Sequence, residues 1–235
     1  MRRLELGAIK DCYIAAKPGA KCATLSQQIE SGKIDITGYA IIGLLIGTND
    51  IDNVVYSEFG PVGYKVNCKN HHAPAKPVSM NDVLQNFVRL LQVVGAANPN
   101  AVLVVLALIP RLGDWDWSYP FTLQFNDFIQ KLCCQGKMGN NRLIFAPTYK
   151  FFLSQGAPVV SYYAWDGIHL SQEGLKRVRQ CAQQALADGN IKCKGHWKRK
   201  PQGRGQAPEA KRRRLMQGNN VVFQVATRID AQGHA

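Results

Sequence analysis

The stretch Tyr39-Ala40-Ile41-Ile42-Gly43-Leu44-Leu45-Ile46-Gly47-Thr48-Asn49-Asp50 carries the strongest fold signal in the chain. From Tyr39 to Ile46 it is continuously apolar and then halts at Gly47, the pattern of a strand buried on both faces. Such a strand needs helices on both sides, and its neighbours read as helices. Ser79 stands three residues before Asp82, a helix-start signal, and Leu84, Phe87, Val88, Leu91 and Val94 follow at helical spacing. Ala101 to Ile109 is a second apolar strand, stopped by Pro110. Phe121, Phe125, Phe128, Ile129 and Leu132 mark another helix, and Arg142 to Ala146 a short strand. Ser171 caps a last helix with the apolar face Leu175, Val178, Ala182 and Leu186. Upstream, Cys12 to Ala16 reads as a strand closed by the turn Lys17-Pro18-Gly19. Thr24, with Gln27 three residues on, predicts the start of the first helix.

Strands alternating with helices imply parallel pairing, with helices on both faces of one sheet. There is no internal repeat. In such sheets ligands bind beyond the carboxyl ends of the strands. That rule singles out Gly19, Gly47-Thr48-Asn49-Asp50 and Asp166-Gly167-Ile168-His169.

The chain has 235 residues, 46% of them hydrophobic, enough to bury a sizeable core. Its longest apolar run is about half of the ~20 residues that a membrane span needs, so no membrane partner is expected. The N-terminus shows no apolar core of a secretory signal, which points to a nuclear or cytoplasmic location rather than secretion. Seven scattered cysteines (12, 22, 68, 133, 134, 181 and 193) suit reduced, buried thiols. The pairs Cys68/His71 and Cys193/His196 are not arranged as a compact finger, and neither a metal nor a cofactor is expected.

The formal charge of +13 is uneven. Residues 191–235 carry 11 basic and 2 acidic side chains, whereas the first 190 carry 18 and 14. The expected division is a domain over 1–189 and a basic, disordered tail over 190–235. Within the tail, Lys198-Arg199-Lys200 and Lys211-Arg212-Arg213-Arg214 are spaced like a bipartite nuclear import signal. The same charge suits nucleic-acid phosphates, and a solvated tail without a partner is the third alternative.

The three strand-end segments fit serine-type ester hydrolysis, which needs a nucleophile, a base, a carboxylate to orient the base, and oxyanion donors. Asp166 and His169, three apart before a capped helix, suit orienter and base. The Asn49 amide and the Gly19 backbone N–H suit oxyanion donors. Singly these signals are weak, since Asp-Gly is a common turn and a lone histidine is usually a surface or core residue. Their order along an alternating sheet is what gives them weight.

On these residues the chain resembles the SGNH (GDSL-like) hydrolase family, over roughly residues 1 to 187. Gly19 is similar to that family's second-block glycine, Gly47-Thr48-Asn49-Asp50 to its third block, and Asp166-Gly167-Ile168-His169-Leu170 to its fifth. Leu108-Ile109-Pro110-Arg111 and the helix with Asn126 and Leu132 also resemble its layout. The resemblance implies a flavodoxin-like three-layer α/β/α sandwich, a parallel sheet and hydrolysis of an ester substrate without a metal. Similar domains occur in open reading frames of mobile elements.

The family's first block, a strand followed by Gly-Asp-Ser with the nucleophilic serine, has no counterpart. It should precede a stretch similar to Arg2-Arg3-Leu4, and Gly113-Asp114 is followed by Trp115. Ser26, Ser31 and Ser57 are the nearest serines. A nearly inactive, N-terminally truncated domain is therefore expected, with its missing first strand belonging between the family's second and third. Those two strands should either leave unpaired inner edges or close up on each other. The alternative function is a nuclear, nucleic-acid-associated or scaffold protein working through its tail. Trp115, Trp117, Tyr119 and Phe121, and likewise Tyr162, Tyr163 and Trp165, suit either a substrate groove or loop packing.

Overall fold

The computed structural model describes residues 5–8, 11–15, 19–60, 76–112, 115–194 and 223–228, with residues 5–8, 11–15, 115–116, 192–194 and 223–228 described as backbone only. The strands are β1 (Glu5–Ala8), β2 (Asp11–Ala15), β3 (Tyr39–Leu45), β4 (Val102–Leu106), β5 (Lys137–Met138), β6 (Asn141–Ala146), β7 (Leu153–Ser154), β8 (Ala157–Pro158), β9 (Lys192–Lys194) and β10 (Phe223–Arg228). The helices are α1 (Cys22–Glu30), α2 (Thr48–Phe59), α3 (Met80–Ala97), α4 (Trp115–Cys134) and α5 (Gln172–Asp188).

The main sheet has the order β2-β10-β3-β4-β6-β5. β3, β4 and β6 are parallel, and β2 runs with them because both β2 and β3 are antiparallel to β10. The connections from β2 to β3, β3 to β4 and β4 to β6 step across the sheet in one direction, and crossovers of the usual right hand put α1, α3 and α4 on one face. α1 packs on α3 and α3 on α4, while α5 lies against β4 and β6 and covers the other face. The result is the three-layer α/β/α sandwich that the alternation predicts. β3 and β4 form its centre, with Ile41, Ile42, Leu44 and every residue of β4 buried.

The helix signals are met unevenly. Ser79 and Asp82 form a reciprocal capping box at the start of α3, and the Ser171 hydroxyl accepts the Gly174 N–H at 3.2 Å. The buried face of α3 is Val83, Phe87, Leu90, Leu91 and Val94, rotated slightly from the predicted stripe. Thr24 does not cap α1. That helix starts two residues earlier, at Cys22, and its first N–H is met by a distant carboxylate described below. Thr48-Asn49-Asp50 opens α2, a helix the sequence reading did not place, whose Ile51, Val54 and Val55 are buried.

The position between β2 and β3 differs from both expectations. The two strands neither expose their inner edges nor pair with each other. β10 lies between them, with Val225 opposite Ile14 on one side and Gly43 on the other. A central strand such as β3 has costly N–H and C=O groups to satisfy, and a strand in either direction can satisfy them. Two strands thus fall within the expected tail, β9 directly after α5 and β10 at Phe223–Arg228. Lys198, Arg199, Lys200, Lys211, Arg212, Arg213 and Arg214 lie outside the described residues, as do Cys68, His71 and His196.

Among the described residues, no helix is long and apolar enough to cross a membrane. Cys22, Cys133 and Cys181 are buried free thiols and Cys134 is exposed.

Candidate active site

Asp166 and His169 meet in a tight loop whose shape comes from Asp166 itself. Oδ1 accepts the backbone N–H groups of Ile168 and His169, each at 2.9 Å, while Oδ2 contacts the imidazole Nδ1 of His169. Gly167, between them, has φ +68, which favours a residue without Cβ. One carboxylate oxygen therefore sets the loop and the other holds the ring. With its proton kept on Nδ1 by the carboxylate, the imidazole presents Nε2 as an acceptor, the state required of a base. Burial pushes the Asp166 carboxyl up, but the hydrogen bonds from His169 and Ile168 outweigh it and hold the group below its ordinary value.

Two further layers fix this loop. Ala164 N–H donates to His169 O at 2.7 Å and Ser171 N–H to Tyr162 O at 3.0 Å, closing its base. From the end of β4, Leu112 N–H donates to Gly167 O at 2.9 Å, and the Tyr163 hydroxyl donates to Pro110 O at 2.5 Å. Pro110 to Leu112 thus grips the loop on both sides. The segment is held in turn by Asn126 of α4, whose side chain accepts the Leu108 N–H at 2.7 Å and donates to Leu108 O at 2.9 Å.

Gly19 and Asn49 form the second part of the site. Gly19 follows β2 with φ +69, and the Asn49 amide donates to Ala20 O at 2.9 Å. Asp50 reaches the same turn, accepting the Cys22 N–H at 3.2 and 3.1 Å on its two oxygens. This carboxylate replaces the local cap that α1 lacks, placing negative charge at a helix N-terminus. Burial raises the Asp50 carboxyl from 3.8 to about 6 despite those bonds, and burial together with Asp50 raises the Cys22 thiol well above its ordinary value. Gly47 lets the chain turn from β3 into α2. Its φ is +129, and a Cβ there would come within 2.9 Å of the Phe125 ring.

Each of the four predicted site residues thus lies at the carboxyl edge of the sheet, as two pairs: Asp166 with His169, and Gly19 with Asn49. Sequence reading assigned no role to a buried ion pair between two of these segments. Asp52 of α2 and Arg111, after β4, form an ion pair with side chains 1% and 8% exposed. A charged residue at an otherwise apolar helix position and an arginine directly after a strand-ending proline were the available signals.

The candidate serines are committed elsewhere. Ser26 donates to Cys22 O, Ser31 to Gln28 O, and Ser57 to Asn53 O while accepting the Val78 N–H. Trp117 and Phe121 pack edge-on against Phe59, joining α4 to α2, and Tyr162 and Tyr163 pack on Phe152. Loop and helix packing therefore accounts for these rings. Trp165 differs: it stands 96% exposed beside Asp166.

No protein-family model and no curated protein matches the chain. Solved structures do. A presumed acylhydrolase from Bacteroides fragilis NCTC 9343 matches with a TM-score of 0.51 at 14% identity, over 73% of this chain and 72% of that one. An acetyl esterase mutant with an acetate ion gives 0.47 at 16% identity, over 73% and 69%. A carbohydrate esterase of family 3 from Talaromyces cellulolyticus gives 0.47, also at 16% identity, over 73% and 69%. Likeness at these identities concerns architecture, and the first of the three supports a three-layer α/β/α hydrolase-like fold.

Proposed function

We propose that this chain is an SGNH-type ester hydrolase domain without its nucleophile block, nearly inactive as given. The observation that carries the reading is the His169–Asp166 contact, set by a self-closing loop at the carboxyl edge of a parallel sheet. In this assignment His169 Nε2 takes the proton of an attacking hydroxyl and later returns it to the leaving alcohol. Asp166 keeps the ring oriented and stabilises the imidazolium. The Gly19 N–H and the Asn49 amide receive the negative charge that develops on the ester oxygen.

β10 supports the reading from the other side. Its place between β2 and β3 is that of the strand expected to present the nucleophile, and a parallel strand there would end at the edge that carries Gly19 and Asn49. The test is to graft an apolar strand followed by Gly-Asp-Ser ahead of Met1 and assay p-nitrophenyl acetate. The ungrafted chain should exceed water by at most about 10³ to 10⁴. The graft should hydrolyse the ester and lose that activity with His169→Ala. A graft that folds with its strand beside β3 and stays inert overturns the assignment.

A second reading rests on the charge of residues 191–235. Here the tail, through its basic clusters, binds nucleic acid or an import receptor in a nuclear or scaffold role. Nucleic-acid binding should then weaken steeply with salt and vanish when residues 195–222 are replaced by a neutral linker. Binding that survives the replacement removes this reading.

A further inference from the structure

We propose that the buried ion pair Asp52–Arg111 is the positioning element of the candidate site, serving the geometry of the His169 loop more than the stability of the fold. The proposal deepens the hydrolase reading and rests on it for the role of His169. Asp52 lies on α2, one helical turn after Asn49, so it belongs to the element that carries one half of the site. Arg111 lies between the two residues that grip the other half, Pro110 through its carbonyl and Leu112 through its N–H. The ion pair therefore ties the two halves together across the ends of β3 and β4. Asn126 anchors the start of this segment, at Leu108, and Arg111 stands at its far end, between the two residues bonded to the loop.

Burial is the second part of the argument. Taking two opposite charges out of water costs about as much as their attraction returns, so apolar residues of similar size often serve stability as well or better. What apolar residues cannot reproduce is the direction imposed by a planar guanidinium on a carboxylate. Such a pair is understandable where a backbone segment must sit in one place, and here that segment contacts both flanks of the Asp166–His169 loop.

The experiment compares thermal unfolding with the imidazole spectrum of His169 in the full chain. The His169 Nδ1 proton, held by Asp166, should give a downfield NMR signal, assigned by its absence in His169→Gln. The double variant Asp52→Leu/Arg111→Met should melt within about 3 °C of the parent or above it, yet lose that signal or broaden it away. Arg111→Lys, which keeps the charge and loses the planar guanidinium, should shift the signal while remaining folded. Val94→Ala, a core truncation in α3, should lower the melting temperature and leave the signal in place. If the double variant retains the signal, or if it no longer folds, the pair is ordinary packing or a stabiliser and the proposal fails. An inert grafted enzyme whose His169 signal still depends on the pair would sink the esterase reading and leave this one intact.

Discussion

Asp50→Asn tests how α1 is held against the site. Asp50 is 4% exposed, and burial lifts its carboxyl from 3.8 to about 6. A rise of that size is worth about 3 kcal/mol between the two protonation states. The sign follows from which state keeps the proton. Below about pH 4 both folded and unfolded chains hold it, and the group contributes nothing to the pH dependence. Between about 4 and 6 the unfolded chain has lost the proton and the folded chain retains it, so stability falls as pH rises. Above about 6 both are ionised and the loss is complete. Asparagine keeps an acceptor for the Cys22 N–H and does not titrate. The stability of the parent relative to Asp50→Asn should therefore drop by about 2.4 kcal/mol from pH 4 to pH 7, whatever the offset between the two proteins. Urea unfolding of both at four pH values measures this, and contributions from Asp166 and other groups cancel in the difference. A difference that stays flat within about 0.5 kcal/mol across the range would refute the placement of an ionisable carboxylate in that buried pocket.

Other consequences are simpler to test. Gly47→Ala places a Cβ at 2.9 Å from the Phe125 ring on a positive-φ backbone, and should cost about 2 to 4 kcal/mol in denaturant unfolding. Asn126→Ala leaves both polar groups of buried Leu108 without their side-chain partner and should cost about 2 to 3 kcal/mol by the same measurement. Val225→Pro in β10 removes an N–H and disturbs pairing with Ile14 and Gly43. Hydrogen exchange at the β3 amides should then accelerate at least tenfold relative to those of β6, and equal protection in both strands would argue against β10 as the partner of β3.

The apolar runs Tyr39 to Ile46 and Ala101 to Ile109, the Ser79–Asp82 capping box and the spacing of Asp166 and His169 were legible in the chain because each depends on residues within one turn or one strand of each other. Hydrophobic period and local hydrogen bonding decide such features, and they survive without knowledge of the rest. The start of α1 was misread for the opposite reason. Thr24 resembles a cap, but Asp50, 28 residues beyond Cys22, supplies the acceptor. No local pattern announces a cap that arrives from another helix. The start of α2 was hidden because Gly47-Thr48-Asn49-Asp50 has the composition of a turn, while burial of Ile51, Val54 and Val55 favours a helix.

The hydrolase-like fold, and the choice of Gly19, Asn49, Asp166 and His169 as candidate site residues, thus follow from patterns along the chain. How those residues are held follows from contacts between distant segments: Asn126 on Leu108, Asp52 on Arg111, Asp50 on Cys22. The filling of the gap beside β3 belongs to the same class. Open N–H and C=O groups on a buried strand demand a partner but do not specify its direction or its place in the sequence, so Phe223–Arg228 could be recognised as that partner only once the sheet was assembled.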